Sequence, residues 1–450
     1  MTRSQSNFSQ MRDFISYMAT IKGDLSNMTA PPFVLSPKSV TEIPASWAAH
    51  HELFLQPARE ADPARRSLLV LKNFLCSLKH QAYAAQQSAS SGAEATGKGS
   101  GGGGGLKKPL NAFLGELFLG TFTSPTTGTQ TRVITEQVSH HPPVTASVIY
   151  NREHGISSAG YVAQETTFSA TSGVRVRQVG HAVVRDDVHA ESHLRTLPTM
   201  AIRGLLTGRP YLEMEGTCYI SSSSGFLTTI VFGENAASGG GKNKKELNWN
   251  ASNGRFGSIG IKHFWGSGTS SSTRHCVRAV MTNVREGGKE VYEVTGQWTG
   301  KLTVRNATDG SVLEEFHVDD IPSTEIQVKP IEKQSPWESR RAWAKVAEGI
   351  RRGDLNTVAT EKMRLEEGQR QIRAAEKMVK AEWPTVFFRR AKECQEFALL
   401  AKALPHPHLR ELDVNKTAGA WAFIGFQAAE DLIKEGVFHR SLEPTGQVLK

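Results

Sequence analysis

From about residue 112 to 316 the chain alternates between short apolar runs and turn residues. "RVITEQV", "VTASVIY", "GVRVRQVGHAVV", "YLEMEGTCYI", "LTTIVF" and "KEVYEVTGQWTGKLTV" are rich in branched and aromatic side chains, and Gly, Ser, Asn and Asp separate them. Many short strands with turn signals between them predict a sandwich or barrel. In one run Val174, Arg175, Val176 and Arg177 alternate, which puts apolar and basic side chains on opposite faces. The flanks follow a different period. Phe8, Met11, Phe14, Ile15, Met18 and Ile21 form one stripe of a helix over residues 4–22. "RRSLLVLKNFLCSLKHQAYAAQ" is a second helical stretch. Beyond Pro336 the pattern predicts two helices split near Gly353 and Asp354, with Pro336 in a first turn and Asp354 as an N-cap. The last sixty or so residues mix helix and loop.

The helix over 4–22 has a polar face of Ser, Asn, Gln and Thr with few charges. Such a helix can lie in a membrane interface, held by lipid packing defects more than by charge. It can equally pack on its own domain. A movable lid would do both.

Two Gly-rich stretches, about 88–105 and 234–258, read as flexible loops. Gly92 to Lys98 spells G-x-x-x-x-G-K, but Gly99 stands where Ser or Thr is required and no strand precedes it. That excludes a phosphate-binding loop of the nucleotide type.

The formal charge is +9 over 450 residues. A basic chain favours an acidic partner: nucleic acid, an anionic membrane face or a phosphorylated ligand. The cations are dispersed and match no nucleic-acid-binding pattern. Cys76, Cys218, Cys276 and Cys394 are far apart in sequence, which fits a reducing compartment. The N-terminus has no apolar signal region. No run approaches the ~20 apolar residues of a membrane span. These features predict a soluble, cytoplasmic protein.

"EQVSHHPP", Glu136 to Pro143, ends a predicted strand on two histidines and blocks any helix behind them with two prolines. Metal, catalysis and anion binding are the candidates. Adjacent histidines in an extended segment point to opposite sides, so one ion would rarely take both. No further metal-ligand spacing and no G-x-S-x-G elbow accompanies them. An anion site needs ring N–H donors and fixed cations nearby. Lys107 and Lys108 in "LKKPLNAFLGELF" are available. So is a stripe of Lys362, Glu366 and Arg370 at i, i+4 and i+8 of a helix. The same spacing serves an exposed salt-bridge ladder equally well.

"EQVSHHPPVTA" together with "KKPLNAFLGELF" resembles the signature of the oxysterol-binding-protein-related family. The likeness extends to "GDLSNMTAPPFVLSPKSVTEIPASWAAHHELFL", "GQWTGK", "VKPIEKQSPWESRRAW" and "EKMRLEEGQRQIR", and runs from about residue 8 to 385. It is nearest to the short members without a pleckstrin-homology domain. The resemblance implies a mainly β fold with α, an incomplete antiparallel β-barrel around a lipid tunnel. An N-terminal amphipathic lid helix would close it, and C-terminal helices would pack behind. It implies one lipid-binding domain: lid 1–30, barrel core with its N-terminal helices 31–335, and helical region 336–450.

The resemblance also implies a function. The protein would exchange sterol for phosphatidylinositol 4-phosphate between cytosolic membrane faces, without catalysis, metal or cofactor. A sensor of the same lipids, or a carrier of another second lipid such as phosphatidylserine, would use the same residues. The phosphoinositide head group would meet Lys108, Pro109, Leu110, Asn111, His140, His141, Lys362, Glu366 and Arg370. Glu366 would orient Lys362 and Arg370, or meet an inositol hydroxyl. Lid contacts would come from Met11, Leu25, Ser26, Asn27, Met28, Thr29 and Ala30. Gln81 and Gln178 would meet the sterol hydroxyl. Ala82, Val162 and Met11 depart from the residue types common at their positions, and this bears on the second lipid. The expected partners are these ligands and anionic or packing-defect membranes of ER and Golgi type, with no nucleic acid and the protein a monomer.

Overall fold

The computed structural model describes residues 14–21, 24–25, 30–86, 106–169, 172–205, 209–233, 236, 274–379, 382–439 and 442–447. Met11, Ser26, Asn27, Met28 and Thr29 lie outside the described residues. So do the loops about 88–105 and 234–258, Ala236 apart.

A large antiparallel sheet of thirteen strands dominates. The strands that matter for the site are β1 (Leu35–Ser39), β2 (Lys108–Leu110), β3 (Leu117–Thr123), β4 (Gln130–His140), β5 (Pro143–Asn151), β6 (Ile156–Ser169) and β7 (Gly173–Asp186). β3 to β7 run as a meander of neighbours, and the sheet continues to Val312–His317 at its far edge. The two edge strands do not pair, so the barrel is incomplete. An exposed edge invites pairing with another chain. Here Thr121 on β3 exchanges two backbone hydrogen bonds with Gln327, and Leu117 donates to the Trp337 carbonyl. The chain that leaves the last strand thus covers the first.

The sheet is buried on both faces over much of its length. Strands of that kind read as continuous apolar runs rather than as clean alternation. "LFLGTF" shows it: Phe118 and Phe122 face one cluster, Leu117 and Leu119 the other. The first cluster is filled by helix α1 (Pro63–Tyr83), which contributes Val70, Leu71, Phe74, Leu75 and Leu78. Asp62 caps α1 by accepting from the Ala64 and Arg65 amides, and Pro63 occupies the first turn, where no N–H is needed. The second cluster packs Ile134, Val148 and Tyr150 against the C-terminal region through Trp337, Trp343, Val358, Phe387 and Ile433.

That region contains α2 (Ala344–Arg352) and α3 (Leu355–Val379). Gly353, in the left-handed conformation, ends α2, and Asp354 accepts from the Asn356 and Thr357 amides to start α3. Pro336 does not sit in a first turn. It precedes the Glu338 cap of the short helix Ser339–Ala342. The stretch 336–450 is not purely helical either, because Phe388–Ala391 pairs with Ala420–Phe423.

Residues 14–20 are helical. Phe14, Ile15, Met18 and Ile21 pack with Leu25 on Phe168, Val174, Val176, Ile202 and Leu205. The Leu25 amide donates to the Thr166 carbonyl, and the Thr166 amide donates to Asp24. The apolar side of the Val174–Arg177 alternation therefore receives this segment. The basic side pairs outward, Arg175 with Glu215 and Arg177 with Glu165. All four cysteines are free thiols. Among the described residues no helix is long and apolar enough to cross a membrane.

Candidate functional site

The paired histidines sit on the β4–β5 hairpin, where His140 is opposite Pro143. A bulge between Gln137 and Ser139 shifts the register just before them. The Gln137 side chain secures it, donating to the Ser139 carbonyl and accepting from Thr145. His141 lies past the strand, in the turn, so strand alternation does not govern it. The two rings do not point apart: they meet edge to face with centroids 4.6 Å apart. Among the described residues there is no group of three potential metal ligands.

The His140 Nδ1 lies 3.2 Å from the Ala112 carbonyl. A carbonyl only accepts, so Nδ1 carries the proton and donates. In the neutral ring Nε2 is then a bare lone pair. Burial, followed by the charges of His141 and Arg373, pushes the His140 pKa down to about 4. The Ala112 bond and Glu366 oppose that shift. His141 is lowered as well, by burial and then by Arg373.

Lys108 stands on β2, which pairs in parallel with β1. Pro109 is tolerated on this two-stranded fragment because it need not donate to a ladder. Leu110 is fully buried and anchors the segment. Lys108 donates to Asn111 Oδ1 at 2.7 Å. Burial and then Lys362 depress its pKa to about 8. Lys107 turns away and donates to the Phe33 carbonyl.

Two buried carboxylates brace these parts. Glu116 accepts from Thr41, the Phe113 amide and the Trp343 indole. Glu136 accepts from the Val386 and Phe387 amides, both at 2.7 Å, and burial raises its pKa to about 7. The hairpin is thereby pinned to a loop 250 residues downstream.

Helix α3 brings Lys362 and Glu366 to the same place, paired at 2.5 Å. Lys362 is largely shielded, with 12% of its side chain exposed. Arg370 departs from expectation. It pairs with Glu367, not Glu366, and is 54% exposed. The arginine whose charge reaches both histidines is Arg373. Sequence reasoning missed it, although periodicity could have found it. At 100° per residue Arg373 falls about 20° from Lys362, and Arg370 about 80°.

In the interior Gln81, at the end of α1, donates to Gln178 Oε1 on β7 at 3.2 Å. Gln178 donates in turn to the Pro198 carbonyl. Gln81 Oε1 is buried with no hydrogen-bond partner among the described residues. Ala82 beside it is buried in the inner cluster. Val162, facing Gly180 in the β6–β7 register, shares the Gln178 face. Of the expected lid contacts, Leu25 and Ala30 are described, and both are buried.

The family model described as oxysterol-binding protein matches residues 13–255. The chain belongs to the oxysterol-binding protein family. It is a family of lipid-binding and lipid-transfer proteins. "Protein kes1" of Schizosaccharomyces pombe is 34% identical over 88% of this chain and 90% of its own length. "Probable transporter efuK" of Hormonema carpetanum is 38% identical, but this chain spans only 47% of it. Two solved structures share the fold. The Osh1 ORD domain in complex with ergosterol matches at TM-score 0.63 with 18% identity, over 96% of this chain and 90% of its own. The Osh3 ORD in complex with PI(4)P, from Saccharomyces cerevisiae, matches at 0.60 with 16% identity, over 95% and 93%.

Proposed function

We propose that this protein exchanges a sterol for phosphatidylinositol 4-phosphate between membranes, holding either lipid in the barrel under the segment at 14–30. The observation that carries the reading is a convergence. Segments 250 residues apart are linked in a chain: the charge of Lys362 acts on Lys108, Lys362 pairs with Glu366, and Glu366 acts on His140, which meets His141. A cluster with two lysines and two imidazoles suits a phosphate monoester, and charge-assisted hydrogen bonds to it contribute roughly 1.5–3 kcal/mol each. Pro109, Leu110 and Asn111 would shape the rim, and Arg370 would join once released from Glu367. The unpartnered Gln81 Oε1 supports the sterol half, since it is an acceptor waiting for a hydroxyl in an otherwise satisfied pair. Burying a sterol skeleton supplies on the order of 10 kcal/mol at about 25 cal/mol per Å². Ala82 and Val162 are apolar neighbours of the glutamines, and they bear on which second lipid the barrel takes. Sterol and phosphoinositide would compete for one cavity, and the same basic mouth would favour phosphoinositide-bearing membranes.

The test is extraction of a fluorescent sterol from liposomes by the purified protein, with phosphatidylinositol 4-phosphate titrated in. Displacement of bound sterol is expected. His140→Ala with His141→Ala should abolish phosphoinositide extraction and leave sterol extraction intact. Loss of both lipids by a folded variant would refute the division of labour.

A further inference from the structure

A concavity opens beside the paired histidines. It is a cleft of about 740 Å³, which His140 and His141 wall together with Arg373 of α3, Arg390, Trp383 and Trp421. None of Lys108, Asn111, Lys362, Glu366 and Arg370 lines it. The histidine pair therefore borders a cleft whose cations are Arg373, Lys377, Arg389 and Arg390. We propose that this cleft is a second anion subsite, in which Arg373 holds a phosphate monoester beside the phosphoinositide mouth. The proposal rests on the head-group reading for what the histidines do at the mouth.

Among the cleft's guanidinium groups, hydrogen bonding singles out Arg373. Arg389 spends its Nη1 on the carbonyls of Thr385, Val386 and Phe388. Arg390 pairs with Glu382 at 3.7 Å and lies over the Trp421 ring at 5.4 Å. Arg373 Nη1 is buried and has no hydrogen-bond partner among the described residues. A buried guanidinium N–H without an acceptor is costly, and a ligand oxygen removes that cost. Two carboxylates in the wall oppose an anion. Glu382 is already engaged by Arg390, and Glu376 lies within the electrostatic reach of Arg373, whose charge opposes the upward push of burial on its carboxyl. The cleft is several times larger than a phosphate. It fits a phosphate carried on a ring or glycerol, with the Trp421 face beside it. Two sources share that chemistry: a lipid head group in the facing membrane and a soluble inositol phosphate.

The experiment uses the full chain, loaded with phosphatidylinositol 4-phosphate so that the mouth is occupied. Inositol 1,4-bisphosphate is titrated in calorimetrically at low salt. The loaded wild type should bind it. Arg373→Gln should bind it roughly tenfold or more weakly than the loaded wild type. Arg373→Lys should recover part of the loss. In a second arm, flotation on liposomes containing phosphatidylinositol 4,5-bisphosphate separates the sources. Weaker flotation of Arg373→Gln assigns the site to a membrane lipid, and equal flotation with weaker titration assigns it to a soluble phosphate. The proposal fails if the loaded wild type binds no inositol bisphosphate, or if Arg373→Gln binds it like wild type. A wild type that extracts no phosphoinositide would instead refute the head-group reading, and the unloaded proteins would still test the cleft by the same comparison.

Discussion

The Ala112 carbonyl fixes how His140 can meet a phosphate. With Nδ1–H donating to that carbonyl, neutral His140 offers only the lone pair on Nε2. A phosphate dianion has nothing to donate to it. With the Ala112 bond kept, one proton enters on binding, either at His140 or on the phosphate. Protonating His140 at pH 7, from a pKa of about 4, costs about 4 kcal/mol. Protonating a phosphate monoester with a second pKa near 6 costs about 1.4 kcal/mol. Protonating the phosphate is the easier step by more than 2 kcal/mol, so on the proposed reading the head group would bind as the monoanion with its O–H donating to Nε2.

The complex then holds one more proton than the free partners, so affinity rises as pH falls. Between pH 7.5 and 6.0 the free dianion fraction predicts about 15-fold tighter binding, with little further gain below pH 6. Lys108, with its pKa near 8, is mostly charged across that window and adds little to the slope. The groups around His140 are His141 in the turn and Arg373 and Glu366 on α3. The assay is calorimetric titration of a short-chain phosphatidylinositol 4-phosphate at both pH values, in two buffers of different ionisation enthalpy. Uptake close to one proton is expected at pH 7. His140→Gln places an amide N–H where it donates directly, and should lose most of the slope. A pH-independent affinity with no proton uptake in the wild type would refute the tautomer argument.

Other consequences are as direct. Gln81→Leu removes the unpartnered acceptor and also leaves Gln178 Oε1 without its donor; sterol affinity should fall roughly tenfold with phosphoinositide extraction unchanged, read from paired extraction assays. A Cβ on Gly368 would sit 2.2 Å from the Thr445 backbone, so Gly368→Ala should destabilise by about 1–3 kcal/mol despite its better helix propensity, seen as a lower Tm and faster hydrogen exchange at 442–447. His181 and His193 are buried and His80, His140 and His439 partly so, and all five have pKa values depressed to about 4, with loss of water contact the first cause in each. The unfolded chain takes these protons near pH 6.5 and the folded chain does not. Stability should therefore fall by about 1.4 kcal/mol per pH unit for each histidine between pH 6.5 and 4, checked by thermal melts at pH 7 and 5.

Much of the site was legible along the chain because its residues come in local patterns. Lys108 to Asn111 and His140-His141 sit in short fixed segments, and the β period of 112–316 and the α1 stripe follow from side-chain alternation and helical repeat. Asp354 capped as expected because an N-cap is a contact within three residues. Whatever depends on a partner far along the chain was decided by packing. Sequence spacing allowed Glu366 to serve Arg370, but rotamers on α3 gave Arg370 to Glu367. The opposed histidines of an extended strand became touching rings because the hairpin turned between them. The proton on His140 was set by the Ala112 carbonyl, 28 residues away. Arg373 became a cleft residue only because Glu136 holds the 386–387 loop against the hairpin. Residue types and their periodicity are local properties; burial, and with it every shifted pKa and every unpartnered donor, exists only once distant segments exclude water together.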